Sequence, residues 1–320
     1  MADVPNQFTG FVPKNSEETN RALVTGGAGF IGSHLIRRLL REGIEVVVLD
    51  DLSSGGSVPS EARLIQGCVT NRDVVREAMT GVNTVFHLAA VVSVPECEQD
   101  PKRCDWVNIQ GTACVVEQAM SCRASLVFAS SCAVYGDAAQ PPCAESCPPD
   151  PCSVYARSNL AGEQLVLRHP ASTCLRLFNV IGAGQRPDVA YAAVAPIFAE
   201  KVLAGQPLPV HGDGRQTRDL VPVELVVEAM RLCSTTPTIR TLNVGTGRGT
   251  TLLSLIAMLE EATGLVAELV HEPRRAADIP HSWADVNRLT EAFELLPGVH
   301  GDQGALAEAV RSLVEALRTR

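Results

Sequence analysis

The sequence predicts an α/β protein built on a doubly wound parallel sheet, with a smaller, discontinuous lobe in the C-terminal half. Three observations carry this reading. From residue 22 to about 180, short apolar runs rich in β-formers alternate with helical patterns, the order strand, crossover helix, strand that yields a parallel sheet. A glycine-rich turn, Thr25-Gly26-Gly27-Ala28-Gly29-Phe30-Ile31-Gly32, joins the first apolar run, Ala22-Leu23-Val24, to the first helical pattern. Beyond residue 180 loops become frequent, marked by Pro187, Pro196, Pro207, Pro209 and the turn Gly212-Asp213-Gly214. At 320 residues, 46% apolar and 20% charged, the chain is long enough to bury a large core as one domain or two.

Residues 1–20 are polar and mixed in charge and read as a flexible leader, pinned at most by Phe8, Phe11 and Val12. They hold no continuous apolar stretch, so neither a signal peptide nor a membrane span is visible, and a cytoplasmic location is the default. In the turn that follows, Gly26 and Gly27 permit a sharp reversal, Gly29 lets backbone amides approach a pyrophosphate, and Gly32 allows close helix packing. The anion then meets the positive end of the helix dipole. A triphosphate-binding loop is excluded, because no Gly-Lys-Ser/Thr follows at the required spacing. The next strand, 45–49, ends in Asp50-Asp51, where a carboxylate accepts ribose hydroxyls and repels a 2'-phosphate, so NAD is favoured over NADP.

The alternation continues through the loop Ser53-Ser54-Gly55-Gly56, strand 63–66, helix 71–80, strand 84–88, helix 103–121 and strand 125–129. In such a Rossmann-type sheet ligands lie beyond the carboxyl ends of the strands. That rule gathers the glycine turn, Asp50-Asp51, Leu88-Ala89-Ala90 and Ser130-Ser131-Cys132 around one crevice. A helix over 155–168, opening at Tyr155, and a strand over 173–177 complete this part. Helices near 192–203, 223–232, 251–263 and 303–317 follow. Residues 21–180 are therefore expected to bind NAD, with a later return to the same domain at about 213–250, while 181–320 form mainly a substrate lobe.

A net charge of −9 argues against a general nucleic-acid binder. The eleven cysteines are scattered in a chain without an export signal, so reduced thiols are expected rather than a disulfide framework. Cys143, Cys147 and Cys152 lack a CxxC pair and sit among five prolines, which reads as an irregular loop and not a metal site.

Taken together, the blocks resemble those of the extended short-chain dehydrogenases, specifically the nucleotide-sugar epimerases and dehydratases. The blocks are the glycine turn, Asp50-Asp51-Leu52-Ser53-Ser54-Gly55, Phe86-His87-Leu88-Ala89-Ala90, Asn108 with Gly111 and Thr112, Ala129-Ser130-Ser131-Cys132-Ala133-Val134-Tyr135-Gly136, Tyr155, Leu177-Phe178-Asn179-Val180, and Gly212-Asp213-Gly214-Arg215-Gln216-Thr217-Arg218-Asp219. They run in order over nearly everything after residue 20. The resemblance implies NAD as cofactor, a nucleotide sugar (UDP before other nucleotides) as substrate, and a homodimer joined through helices 103–121 and 155–168. It implies neither a metal nor a nucleic-acid or membrane partner.

By the same resemblance, NAD would be contacted by Gly26, Gly29, Phe30, Ile31 and Gly32, by Asp50, Asp51, Leu52, Ser53, Ser54 and Gly55, and by Cys68 and Val69. Leu88, Ala89, Ala90, Asn108, Ser130, Tyr155, Asn159, Phe178 and Val180 would complete its site. Cys68 stands where the family has an aspartate for the adenine amino group, leaving the Val69 backbone and apolar contacts to hold that ring. Tyr155 would take the proton of a sugar hydroxyl with Ser131 hydrogen-bonded to the reacting oxygen. The family lowers this phenol's pKa with a lysine four residues on, on the same helix face. Here that residue is Asn159, which carries no charge, and Arg157 points to another face.

Substrate contacts implied by resemblance are Val92, Ser93, Ser131, Cys132 and Tyr155 near the sugar. Asn179, Arg218 and Arg275 would hold the diphosphate, and Val194 to Phe198 the base. Arg186 either meets a hexuronate carboxylate or pairs with Asp188. Elimination and decarboxylation in relatives need acidic residues where Cys132 and Ala133 stand, so the reading is a UDP-glucose/UDP-galactose or UDP-glucuronate/UDP-galacturonate 4-epimerase of reduced activity. The alternatives are a silenced protein that binds NAD and nucleotide sugar, including a substitution that traps a complex, and a dehydratase of unusual design.

Overall fold

Each strand of the central sheet is buried on both faces, so its apolar residues are nearly continuous and divide alternately between two helical layers. The computed structural model describes residues 20–137, 140–188, 193–236, 239–274, 279–293 and 303–319. The leader 1–19 and Arg275 thus lie outside the described residues.

The chain begins with β1 (Arg21–Thr25), α1 (Phe30–Arg41), β2 (Glu45–Asp50), β3 (Arg63–Gln66), α2 (Arg72–Ala78) and β4 (Thr84–His87). It continues with α3 (Val94–Gln99), α4 (Pro101–Asp105), a π-helical stretch (Trp106–Gly111), α5 (Thr112–Cys122), β5 (Ser125–Ser131), a 3₁₀ turn (Cys132–Tyr135), α6 (Val154–Val166) and β6 (Ser172–Leu177). The second half holds β7 (Asn179–Ile181), α7 (Val194–Leu203), β8 (Leu208–His211), β9 (Thr217–Arg218), β10 (Leu220–Pro222), α8 (Val223–Thr235) and β11 (Thr241–Val244). It closes with β12 (Thr250–Thr251), α9 (Leu252–Thr263), β13 (Leu269–Glu272), β14 (His281–Ser282), α10 (Asn287–Ala292) and α11 (Gln303–Arg318).

Seven strands form one parallel sheet in the order β11-β6-β5-β4-β1-β2-β3. The winding direction reverses between β1 and β4. Odd and even residues separate cleanly: Val24, Val48, Phe86, Val127 and Leu175 face α1 and α8, whereas Leu23, Leu49, Val85, Leu126 and Cys174 face α2, α5 and α6. A third core lies beyond the sheet, where Phe198 and Val202 of α7, Leu255 and Leu259 of α9, and Val310 and Leu313 of α11 pack on Leu208 and Val210 of β8.

Two expectations need correction. The helix expected over 103–121 is three segments, with a π-helical turn at Trp106–Gly111 between α4 and α5. The extra residue of a π turn is a device found at functional sites, and here it carries Asn108. Reduced thiols hold for nine cysteines, but Cys97 and Cys104 are joined as a disulfide. The break between α3 and α4 at Asp100-Pro101, where the Asp100 side chain accepts from the Arg103 amide, folds the chain back and brings the two Cα atoms to 5.2 Å. No described helix is long and apolar enough to cross a membrane.

Asp219 joins the segments of the second half. It has no exposed surface, and its carboxylate accepts from Thr246 N at 2.8 Å, Thr246 Oγ1 at 2.6 Å, Gly247 N at 3.1 Å and Ala284 N at 3.1 Å. One side chain thereby satisfies donors from the turn after β11 and from the chain after β14. Asp219→Ala leaves these donors without acceptors, so a loss of about 3–5 kcal/mol is expected in urea unfolding at an unchanged m value. A loss below about 1 kcal/mol would refute this account.

Candidate active site

Because Thr25 pairs with Leu49 and lies beside His87, and His87 beside Phe128, the carboxyl ends of β2, β1, β4 and β5 open on one edge of the sheet. The glycine turn is the floor there. Gly26 has φ +70°, and a Cβ on it would lie 2.7 Å from Ala89 N. A Cβ on Gly32 would run into the Gly26 carbonyl oxygen and come within 2.7 Å of Gly27 Cα. Helix α1 starts with Gly29 as its N-cap, with no side-chain cap and no acidic residue in its first turn. Its first amides are left for an external anion, the arrangement a dinucleotide pyrophosphate fits.

Of the two expected acids, Asp50 faces the turn. Its Oδ2 accepts from Ala28 N at 2.9 Å and its Oδ1 from Leu52 N at 2.8 Å, which leaves a lone pair on each oxygen for ribose hydroxyls. Leu52 sits at φ +61°, a left-handed conformation unusual for a branched apolar residue and held by the bond from its amide to Asp50. Asp51 is exposed and turned to its own loop, accepting from Ser53 N and Ser53 Oγ at 3.0 and 2.6 Å. Cys68 Sγ accepts from Thr70 Oγ1 at 3.2 Å.

Behind the floor runs a polar chain whose residues stand in the motif blocks but whose connections motif reading did not supply. Thr112 Oγ1 donates to Asn108 O at 2.6 Å, so toward His87 Nε2, at 2.9 Å, it is the acceptor. The ring is then the Nε2–H tautomer, and its Nδ1 accepts from Thr25 Oγ1 at 2.7 Å. Thr25 Oγ1 in turn accepts from Leu88 N and Ala89 N at 3.2 Å each. Complete burial lowers the His87 pKa to about 4 and keeps the ring neutral. The sequence signals were the histidine between apolar residues in Phe86-His87-Leu88 and the block of Asn108 with Gly111 and Thr112. Asn108 accepts from Val91 N at 2.8 Å and donates to Val91 O and Ser158 Oγ at 3.0 and 2.9 Å, tying the loop after β4 to α6.

The N-terminus of α6 is fixed by Ser153 Oγ, which accepts from Ala156 N at 3.1 Å, and by Glu98 Oε1, which accepts from Val154 N at 2.7 Å. This places Tyr155 beside Ser131 and Cys132. Burial raises the Tyr155 pKa above that of a free phenol, and hydrogen bonds with Ser131 and Asn159 only partly offset it; among the described residues no cation contributes to lowering it. Asn159, itself buried, donates its Nδ2 back to the Tyr155 carbonyl at 2.9 Å. Burial pushes the Cys132 thiol up to about 12, so it is neither a useful acid nor a useful base at neutral pH. Ser130 points the other way: its hydroxyl donates to Glu163 Oε1 at 2.6 Å, leaving any cofactor contact to its backbone.

The remaining expected residues are partly gathered. Val92 is 66% exposed beside the crevice, and Ser93 Oγ caps α3 by accepting from Glu96 N at 3.2 Å. Asn179 donates its backbone N–H to Asp219 O at 3.0 Å. Val194 is exposed at the start of α7, whereas Phe198 is buried in the third core. Arg218 donates to Thr217 O and Ile279 O at 2.9 and 2.8 Å. Arg186 forms two bonds to Asp188, at 3.0 and 2.8 Å, and donates to Ser54 O at 2.9 Å, reaching from the loop after β7 to the loop after β2. Phe178 is buried and Val180 half-buried at the same sheet edge.

Residues 22–245 match the NAD dependent epimerase/dehydratase family. A UDP-glucose 4-epimerase of Mycolicibacterium smegmatis is 35% identical over 316 residues, covering 94% of this chain and 99% of the relative. Among solved structures, UDP-glucose 4-epimerase of Thermotoga maritima with UDP-glucose superposes with a TM-score of 0.85 at 32% identity, covering 93% of this chain and 99% of that one. The Thermus thermophilus UDP-glucose 4-epimerase in complex with NAD gives 0.83 at 33% identity and the same coverage.

The buried histidine makes the fold sensitive to acid. An unfolded imidazole titrates at 6.5 and His87 in the fold at about 4, so the neutral ring's contribution is complete above 6.5 and is withdrawn as pH falls toward 4. Unfolding free energy is expected to drop by about 2 kcal/mol from this group between pH 7.5 and 5. His87→Gln should remove that part of the slope. An identical slope in the variant would rule His87 out.

Proposed function

The chain belongs to the NAD dependent epimerase/dehydratase family, and on that premise we propose that it is a UDP-glucose/UDP-galactose 4-epimerase working slowly at neutral pH. The observation that carries this is the pairing of Tyr155 with Ser131 at the end of β5, followed in the chain by Cys132 and Ala133 and not by acidic residues. Bound NAD would supply reversible hydride transfer at carbon 4 of the sugar, the chemistry by which that centre can be inverted. Tyr155 takes the proton of the 4-hydroxyl as the hydride leaves and gives it back on return. Ser131 Oγ orients that oxygen. The Asp50 carboxylate and the open amides of α1 would hold the cofactor's ribose and pyrophosphate. Arg218 and Asn179, with Arg275, would hold the substrate diphosphate. Elimination would need an acid and a base at neighbouring carbons, and Cys132, with its pKa near 12, and Ala133 supply neither.

Arg186 bears on the sugar. Its guanidinium is held bidentately by Asp188 at 2.8 Å, so a hexuronate carboxylate would have to displace an internal one. That supports a neutral hexose over a uronic acid. Arg186→Ala is expected to change the ratio of UDP-glucose to UDP-glucuronate turnover less than about threefold. A tenfold or larger loss confined to UDP-glucuronate would overturn this assignment.

A second reading, a protein that binds NAD and nucleotide sugar without interconverting them, is favoured by Asn159 alone. A phenol whose pKa burial pushes above its ordinary range is mostly protonated at neutral pH, and turnover should climb about tenfold per pH unit through the neutral range. Asn159→Lys puts a cation one helical turn away and lowers that pKa, so a gain of about 10–1,000-fold at pH 7 is expected, with a flatter pH profile. No gain would reject the account of Asn159. Stabilisation by ligand without products, in both forms, would favour the silent binder. We further propose a homodimer through α5 and α6, on whose side Trp106 and Met120 stand 57% and 47% exposed.

A further inference from the structure

We propose that Glu163, Arg176 and Ser130 are positioning residues for the reaction proposed above, forming a buried clasp that sets the distance between Tyr155 on α6 and Ser131 on β5. Tyr155, Asn159 and Glu163 fall four residues apart on α6 and share one stripe of the helix. Glu163 is 2% exposed and lies just over two turns along the helix from Tyr155. Its Oε1 accepts from Ser130 Oγ at 2.6 Å and from Arg176 Nε at 2.9 Å, and its Oε2 accepts from Arg176 Nη2 at 2.8 Å. One carboxylate therefore connects the helix that carries the base, the strand that carries Ser131, and β6 next to it.

Packing alone does not call for this. Gly162 already lets α6 settle on Phe128 of β5, where a Cβ would come within 2.9 Å of the ring. Apolar side chains in place of the ion pair would fill the same volume, since burying two charges is costly and a buried pair is weak support for stability. What directional bonds add is resistance to roll and slide of the helix along the strand, the motions that change the separation of Tyr155 from Ser131.

Ser131 is held from both sides. Ser130 before it is bonded to Glu163. After it, the 3₁₀ turn ends in Tyr135, whose ring lies under the Arg176 guanidinium at 4.8 Å and whose hydroxyl donates to Asn243 Oδ1 at 2.6 Å. Asn243 Nδ2 continues to the carbonyls of Cys143 and Asp285 at 2.8 and 3.2 Å. The same guanidinium thus steadies the residues on either side of the serine.

The test compares Ser130→Ala, Ser130→Thr, Glu163→Met, Arg176→Met and the double variant Glu163→Met/Arg176→Met, measuring kcat, KM, NAD affinity and thermal midpoint. Ser130→Ala is expected to lower kcat about tenfold with KM and NAD affinity within about twofold, while Ser130→Thr, which keeps the hydroxyl, retains kcat. Each single Met variant should lose stability, because one charge is left buried. The double variant should regain the thermal midpoint but stay about tenfold or more below the parent in kcat. Return of kcat together with the midpoint would mean a purely structural pair and overturn the proposal. If the parent turns over no UDP-sugar, the reaction assigned above fails, and crystal structures of the parent and Ser130→Ala decide the clasp by themselves. A Ser131 Oγ to Tyr155 hydroxyl separation longer by about 0.5 Å or more is expected in the variant, and an unchanged separation refutes it.

Discussion

Everything in the crevice depends on the parallel register of β2, β1, β4 and β5. Because these strands run the same way and pair in step, one sheet edge receives the turn after each of them. The glycine turn, the Asp50 carboxylate, the Leu88–Ala90 loop and Ser131 are far apart in sequence and become neighbours through backbone hydrogen bonds alone. The local devices only refine that placement: Asp50 holds the Ala28 amide, Thr25 holds the amides after β4, and the Thr25–His87–Thr112 chain ties the floor to the π-helical wall.

Much of this was legible in the amino-acid order, and the reasons differ by residue. The strands could be read because burial on both faces makes them continuous apolar runs. The glycine turn could be read because a Cβ would collide with Ala89 at Gly26 and with the turn's own backbone at Gly32. Which of Asp50 and Asp51 meets the turn could not be read, since adjacent residues point to opposite faces and only the strand's phase decides. Glu163 and Arg176 stood in plain view as a helical and a strand residue, but their pairing exists only once α6 lies across β5 and β6. The Cys97–Cys104 disulfide was hidden for a similar reason: it needs the reversal at Asp100-Pro101. Arg186 left two partners open in the sequence, and its bonds to Asp188 are visible only once the loop after β7 is folded.

The electrostatics of Tyr155 come from what surrounds the phenol. The residue is half-buried against the cluster of Val91, Cys97, Cys104 and Val154, so the charged form is penalised, and the polar side chains of Ser131 and Asn159 contribute dipoles where a full charge would be needed to reverse the sign. Asn159 also spends its amide on the Tyr155 carbonyl, a bond that steadies the first turns of α6. The residue is thereby structurally well placed and electrostatically neutral, which separates holding the base in position from making it basic.

The π-helical turn has a consequence for how this wall tolerates change in length. Cys104, Asn108, Thr112, Val115 and Ala119, all buried on one side, are four, four, three and four residues apart, more residues per turn than a straight α-helix provides. The wide turn at Trp106–Gly111 absorbs the surplus, so α4 and α5 keep a common inward side although they are out of phase as α-helices. In a chain one residue shorter there, the hydrogen bonds could close into ordinary α-helix without loss. The parts before and after the joint would then keep their common inward side, because the residue removed is the surplus that the wide turn absorbs, and what would change is the local backbone that offers Asn108 to Val91 and Ser158. The segment is thus a local widening that serves Asn108, and the flanking helices do not depend on it for their alignment.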